Sequence, residues 1–160
     1  MKKQNFGKIE RIILFGGGQH LPQIIKKLKR RNIEIFVFLS MSQAKEINNY
    51  EKKTYSSILK KNKINFQILK SLKKKNSWQN LITKNTLGIS ISCRWIFNKK
   101  EILLFKKKLI NIHGSFLPSF AGGGGKSWNL LMRETSGGIT IHFIDQNIDT
   151  GKIITRTRFK

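Results

Sequence analysis

The sequence predicts an α/β domain: a Rossmann-like, doubly wound, mostly parallel sheet flanked by helices. Three observations predict it. Short runs rich in Ile, Phe and Val alternate with stretches whose apolar residues fall three and four apart. The first run, Ile9 to Phe15, ends in Gly16-Gly17-Gly18 and leads directly into a helical pattern, the start of a βαβ unit. Polar residues able to do chemistry fall at the carboxyl ends of the apolar runs, where open α/β sheets bind their ligands.

In chain order, Ile9 to Phe15 reads as a buried strand. A helix follows from Leu21, with apolar positions at Ile24, Ile25 and Leu28, lysines between them, and Pro22 in the first turn, where its missing N–H costs nothing. Asn32 closes that helix, and Ile33 to Leu39 is a strongly β-type run. Two strands joined by a helix in one sheet are parallel, with a right-handed crossover. Tyr50 to Lys61 reads as a second helix and Ile64 to Leu69 as a weaker strand. Ser71 to Asn76 is a basic connector, Trp78 to Ile82 a short helix, and Leu87 to Ile96 the next apolar run. Lys99 to Phe105 is a brief helix before the strand Lys108 to Ile112. A glycine run, Gly122 to Gly125, precedes an amphipathic piece from Ser127 to Arg133 and a final pair of apolar runs.

Composition bounds the rest. With 160 residues, 39% hydrophobic and 10% aromatic, the chain reads as one domain with a proper core. A single cysteine, Cys93, excludes a disulfide within the chain and fits a reducing cytoplasm. No apolar run reaches the ~20 residues of a membrane helix, and the run after the charged N-terminus is too short for a signal peptide. Thirty-two Lys and Arg against eight Asp and Glu make a net charge of +24. That balance reads either as an electrostatic footprint for nucleic acid or as compositional drift, since Lys, Asn and Ile are abundant throughout.

Two glycine motifs fail on inspection. Gly16-Gly17-Gly18 would need a further glycine at Leu21 to match a dinucleotide loop, although Glu34 lies near where a ribose-binding acid belongs. Gly125-Lys126-Ser127 would need a glycine at Phe120 to match a P-loop. A glycine loop that lets backbone approach a substrate closely is the better reading. Cys93, His20, His113 and His142 have no metal-ligand spacing, so no metal is expected. His142, flanked by Ile141 and Phe143, reads as a hydrogen-bonded structural histidine with a supporting role open to it.

The chemistry concentrates between Leu109 and Ile154. Asn111 and His113 are two apart, so on a strand they share a face. An amide donor beside an imidazole suits a reaction that develops negative charge on a carbonyl oxygen. Asp149 lies past the next apolar run, just before Gly151, where a turn can carry it back to His113.

Asn111-Ile-His113-Gly-Ser115-Phe-Leu-Pro118, followed by Ile148-Asp149-Thr-Gly151, resembles the formyltransferase family that uses 10-formyltetrahydrofolate. That family includes glycinamide ribonucleotide, methionyl-tRNA and sugar-nucleotide formyltransferases. Its signature is Asn-x-His before Ser-Leu-Leu-Pro, then Asp-x-Gly some thirty-odd residues on, and Phe116 is the one mild departure. The resemblance implies a catalytic trio of Asn111, His113 and Asp149. It implies folate contacts at Arg94, Trp95 and Ile96 and at Ile144, Asp145 and Ile148, and acceptor contacts at Gly16, Gly17, Gly18 and Ser115. In the implied mechanism an acceptor amine attacks the formyl carbon, and Asn111 and a cationic His113 stabilise the oxyanion. Asp149 holds that cation and relays the amine proton to the departing folate nitrogen.

The resemblance leaves the acceptor open between an amino-sugar nucleotide or other small amine, slightly favoured, and charged initiator tRNA. The family's catalytic domain continues with another helix beyond this point. Residues 1–160 are therefore expected to form one catalytic domain, either C-terminally shortened or a minimal relative. A reading from another class is a non-catalytic, basic, nucleic-acid-binding α/β domain. No membrane association is expected.

Overall fold

A computed structural model describes residues 4–72, 77–124, 127–128, 131–133 and 135–159. Residues 73–76 of the expected basic connector Ser71 to Asn76, residue 125 of the glycine run and parts of the amphipathic piece after it lie outside the described residues.

The core is a seven-stranded sheet. Strand β1 (Arg11–Gly16) runs parallel to β2 (Glu34–Ser40) on one side and to β6 (Thr86–Ile91) on the other. Beyond β2 lies β5 (Asn65–Leu69), and beyond β6 lies β7 (Leu109–His113), both parallel to their neighbours. Two antiparallel strands, β8 (Gly137–Phe143) and β9 (Ile153–Phe159), finish the far edge. The spatial order is β5-β2-β1-β6-β7-β8-β9. The order therefore reverses between β1 and β6, the switch point beside which such sheets bind ligands.

Alternation along the strands makes two cores, one on each face. Ile12 and Leu14 point to the face covered by α1 (Leu21–Lys29) and α3 (Tyr55–Lys61), meeting Leu21, Ile25, Tyr55 and Leu59. Ile13 and Phe15 point to the other face, where Trp78 of α4 (Ser77–Asn80) and Phe105, just after α5 (Lys99–Leu104), pack with Phe97. Phe15 meets the Trp78, Phe97 and Phe105 rings edge-on at 5.0–6.1 Å between centroids, the orientation aromatic quadrupoles favour.

The elements differ from expectation in several places, among them the helix expected over Trp78 to Ile82, which spans Ser77–Asn80. The helix expected from Tyr50 begins at Tyr55, because Thr54 caps it: its Oγ1 accepts from the Ser57 N–H at 3.2 Å. The preceding residues form a two-strand hairpin, β3 (Ile47–Asn48) and β4 (Lys53–Thr54), turned by the buried Asn48, whose Oδ1 accepts from the Tyr50 and Glu51 N–H groups. A five-residue helix, α2 (Met41–Lys45), was not expected. Ser40 and Gln43 bond each other's backbone N–H in a capping box that starts it. The Leu87–Ile96 run is a strand only to Ile91, and Ser92 turns out of the sheet in a left-handed conformation, φ 46°.

Candidate active site

Three parallel strands deliver loops to one rim. After β1 the chain makes its triple-glycine turn, after β6 it enters Ser92–Phe97, and after β7 it passes through Gly114 into the segment carrying Leu117-Pro118. A cavity of about 700 Å³ opens among the last two of these, Gly122 to Gly124 and the loop after β8.

Asn111 and His113 share the face of β7 that looks into this cavity, as their spacing predicted. The antiparallel register adds His142, which sits directly opposite Asn111 on β8. Asp149 arrives from the loop beyond β8. Its own backbone is left-handed, φ 56°, a conformation an aspartate tolerates better than most residues. Gly151 packs against the Phe143 carbonyl so closely that a Cβ there would lie 1.7 Å from its oxygen. The missing side chain is what lets the loop fold back over β7.

The four side chains form one network around the carboxylate. Asp149 Oδ1 accepts from Asn111 Nδ2 at 3.2 Å and lies 3.3 Å from His142 Nε2. Asp149 Oδ2 accepts from the Gly122 N–H at 2.8 Å and lies 3.3 Å from His113 Nδ1. On its far side His113 Nε2 faces the Phe120 carbonyl at 3.1 Å. Both ring nitrogens of His113 thus look at oxygen acceptors, and only the doubly protonated imidazolium donates to both. His142 Nδ1 donates to the Phe143 carbonyl at 2.8 Å, and its Nε2 lies 3.3 Å from Asn111 Nδ2. His142 is 2% exposed. Its place at the centre of this network could not be read from its flanking residues, because it depends on the β7–β8 register.

The expected folate-contact residues all line the cavity. Arg94, Trp95 and Ile96 form one wall and Ile144, Asp145 and Ile148 the other. Arg94 pairs with Glu46 across the mouth at 2.6 Å. Asp145 ties its own loop, accepting from the Asn147 N–H and the Thr150 hydroxyl. Cys93 lines the cavity as well, and burial pushes its thiol up to about 11.

The four expected acceptor-contact residues are outside the lining of this cavity. Gly16 and Gly17 are buried, and none of Gly16, Gly17 and Gly18 lines the cavity. Gly16 has φ +100°, and a Cβ on it would lie 2.3 Å from the Ile91 carbonyl, so the turn serves close packing of β1 on β6. Ser115 is fully buried behind the site, its hydroxyl on the Ser119 and Phe120 carbonyls. It holds in place the carbonyl that His113 faces.

Residues missed by the sequence reading also shape the site. Thr140, fully buried, accepts from the Leu117 N–H and donates to the Ser115 carbonyl, pinning the loop after β7 onto β8. Gln43 Nε2 donates to the Ser92 carbonyl at 2.7 Å and steadies the Arg94 wall. Among the described residues no His, Cys, Asp and Glu side chains are grouped to hold a metal, and no helix is long and apolar enough to cross a membrane.

This rim gathers an amide, two imidazoles and a carboxylate at the end of the sheet where α/β proteins bind ligands. Residues 10–160 match the formyl transferase family, and the chain belongs to it. It is 35% identical over 63 residues to a methionyl-tRNA formyltransferase of Finegoldia magna, covering 39% of this chain and 20% of that one. It is 33% identical over 70 residues to a GDP-perosamine N-formyltransferase of Brucella melitensis, covering 44% and 27%. The matched stretches thus span about a fifth and a quarter of those relatives. The fold superimposes on an N-formyltransferase from Helicobacter canadensis solved with folinic acid and dTDP-3-aminofucose: TM-score 0.72, 22% identity, 94% of this chain and 52% of that one.

Proposed function

We propose that this chain transfers a formyl group from 10-formyltetrahydrofolate to a primary amine, with an amino-sugar nucleotide as the acceptor. The observation that carries the reading is the convergence of Asn111, His113 and Asp149 on the floor of one cavity. Its walls suit the donor: Trp95, Ile96, Ile144 and Ile148 offer apolar surface to a flat ring system, with Arg94 at the mouth for an anionic tail. The folate supplies the activated one-carbon unit.

Attack of the amine nitrogen forms a C–N bond at the formyl carbon, and the bond to the folate nitrogen then breaks. The carbonyl oxygen carries negative charge in between. Asn111 Nδ2 and His113 Nε2 are the donors for it, each adding a hydrogen bond that strengthens as charge develops. In the geometry above both are turned to protein acceptors, Asn111 to Asp149 and His113 to Phe120. His113 therefore exchanges the Phe120 carbonyl for the formyl oxygen. That exchange requires the bonds of the Phe120 carbonyl to Ser115 Oγ and of the Gly122 N–H to Asp149 Oδ2 to loosen, about Gly122 and Gly124 in their left-handed conformations. Asp149 keeps its bond to His113 Nδ1 and takes the amine proton, directly or through water, for delivery to the folate nitrogen.

Two likenesses support an amino sugar as the acceptor: the Brucella relative is named for GDP-perosamine, and the Helicobacter protein was solved with an amino sugar nucleotide. The Finegoldia relative is named for methionyl-tRNA, which makes that the second acceptor to test.

The test is release of tetrahydrofolate from 10-formyltetrahydrofolate with GDP-perosamine, with a dTDP-linked amino sugar, with glycinamide ribonucleotide and with charged initiator tRNA. Turnover with an amino-sugar nucleotide, lost in Asn111→Ala, is expected. Turnover with tRNA or glycinamide ribonucleotide alone reassigns the acceptor. Neither turnover nor folate binding removes the reading altogether.

A further inference from the structure

The basic residues look scattered along the chain, but the topology gathers many of them. Strands β5, β2, β1, β6 and β7 are parallel, so all five begin on one edge of the sheet, opposite the rim that carries the cavity. Each is preceded by cations. Lys60, Lys61 and Lys63 lead into β5, and Lys29, Arg30 and Arg31 into β2. Lys8 precedes β1, Lys84 precedes β6, and Lys106 to Lys108 precede β7. All are exposed except the half-buried Lys108. Contacts tie neighbouring clusters together: Lys29 Nζ donates to the Asn62 carbonyl at 2.9 Å, and Lys108 Nζ to the Lys84 carbonyl at 2.7 Å. Five strands at ~4.8 Å spacing make this rim ~19 Å long.

The acids are distributed the other way. Among the described residues, those near this rim are Glu10 and Glu34, which are already paired with Lys8 and Arg11. Glu46, Asp145 and Asp149 line the cavity at the opposite end. No cation that leads into β2, β5, β6 or β7 has a carboxylate within salt-bridge distance among the described residues.

We infer that this rim is a phosphate-backbone interface for RNA, on the side of the molecule away from the cavity. Asn32, Asn62 and Asn85 stand among its cations, with Asn62 Nδ2 already donating to the Ile58 carbonyl and Asn85 Nδ2 to Glu10, each at 2.8 Å. The cations without a carboxylate partner are what suit phosphate oxygens, whereas a lipid surface calls for interleaved apolar anchors. Exposed leucines occur near it only on α5, at Leu103 and Leu104, among the described residues.

The experiment measures binding of a fluorescein-labelled RNA hairpin by anisotropy, from about 0.05 to 0.5 M salt. It compares the wild-type chain with two variants of equal charge. The rim variant carries Arg30→Gln, Arg31→Gln, Lys61→Gln and Lys63→Gln; the control carries Lys45→Gln, Lys52→Gln, Lys99→Gln and Lys100→Gln. Circular dichroism and folate binding show that both variants are folded, and the folate readout keeps this test separate from the formyl-transfer reading. The rim variant is expected to lose at least ~10-fold in affinity and about 3 in the slope of log K against log salt, with little change in the control. Equal losses in both would mean that net charge alone binds RNA and would overturn the proposal. So would no binding by the wild type, or rim-dependent capture by phosphatidylserine vesicles without RNA binding.

Discussion

Asp149 is the residue on which the site turns, because it holds Asn111, His113, His142 and the Gly122 N–H with two oxygens. Replacing it by Ala leaves two imidazoles and an amide without their common acceptor. We expect Asp149→Ala to lower turnover at least ~100-fold, in the range lost with an oxyanion donor, with an unchanged circular dichroism spectrum. Near-normal turnover would refute the proposed proton relay. Cys93 gives a chemical check on the same cavity. Its thiol is raised to about 11 by burial, so the thiolate appears only as pH climbs toward that value. Iodoacetamide at pH 8 should therefore modify Cys93 on the order of 100-fold more slowly than an unperturbed thiol, and the rate should still be rising above pH 9.

At the scale of elements, the turns position the chemistry. Gly151→Ala puts a methyl group into the Phe143 carbonyl. The loop that carries Asp149 must then shift, so turnover should fall well before stability does. Measuring kcat beside a urea midpoint separates the two, and an unchanged kcat would show that Asp149 reaches its place some other way. Thr54 caps α3, whose Tyr55, Ile58 and Leu59 are buried in the first core. Thr54→Ala should cost ~1 kcal/mol in urea denaturation, the usual value of an N-cap. A loss near zero would mean that packing alone starts the helix at Tyr55.

For the whole molecule, the charge of +24 is a standing repulsion. At about 0.01 M salt the screening length is ~30 Å and the repulsion acts across the domain, whereas at about 0.1 M it falls to ~10 Å. Among the described residues only Glu10, Glu34 and Glu46 form ion pairs with Lys or Arg. Raising the salt therefore screens more repulsion than attraction. The melting temperature should rise as sodium chloride is increased, and a fall would mean that the few ion pairs outweigh the excess.

Hydrophobic period and glycine placement were enough to read the parallel sheet, its helices and the spacing of Asn111 and His113, because those depend on neighbours in sequence. The hairpin at Ile47–Thr54 and the short α2 escaped, because a capping box and a buried asparagine decide them rather than a long apolar pattern. His142 and Thr140 escaped for a different reason. Their roles depend on which residue of β7 faces them across an antiparallel pair, and a strand's pattern does not name its partner. The gathering of lysines on one rim is likewise a product of parallel pairing: runs far apart in the chain become neighbours only when five strands start on the same edge. The sequence by itself determined the fold class and the motif that carries the chemistry, through local spacing. Tertiary structure alone decided which side chains meet around Asp149, because long-range register and a chain folded back at Gly151 bring them together.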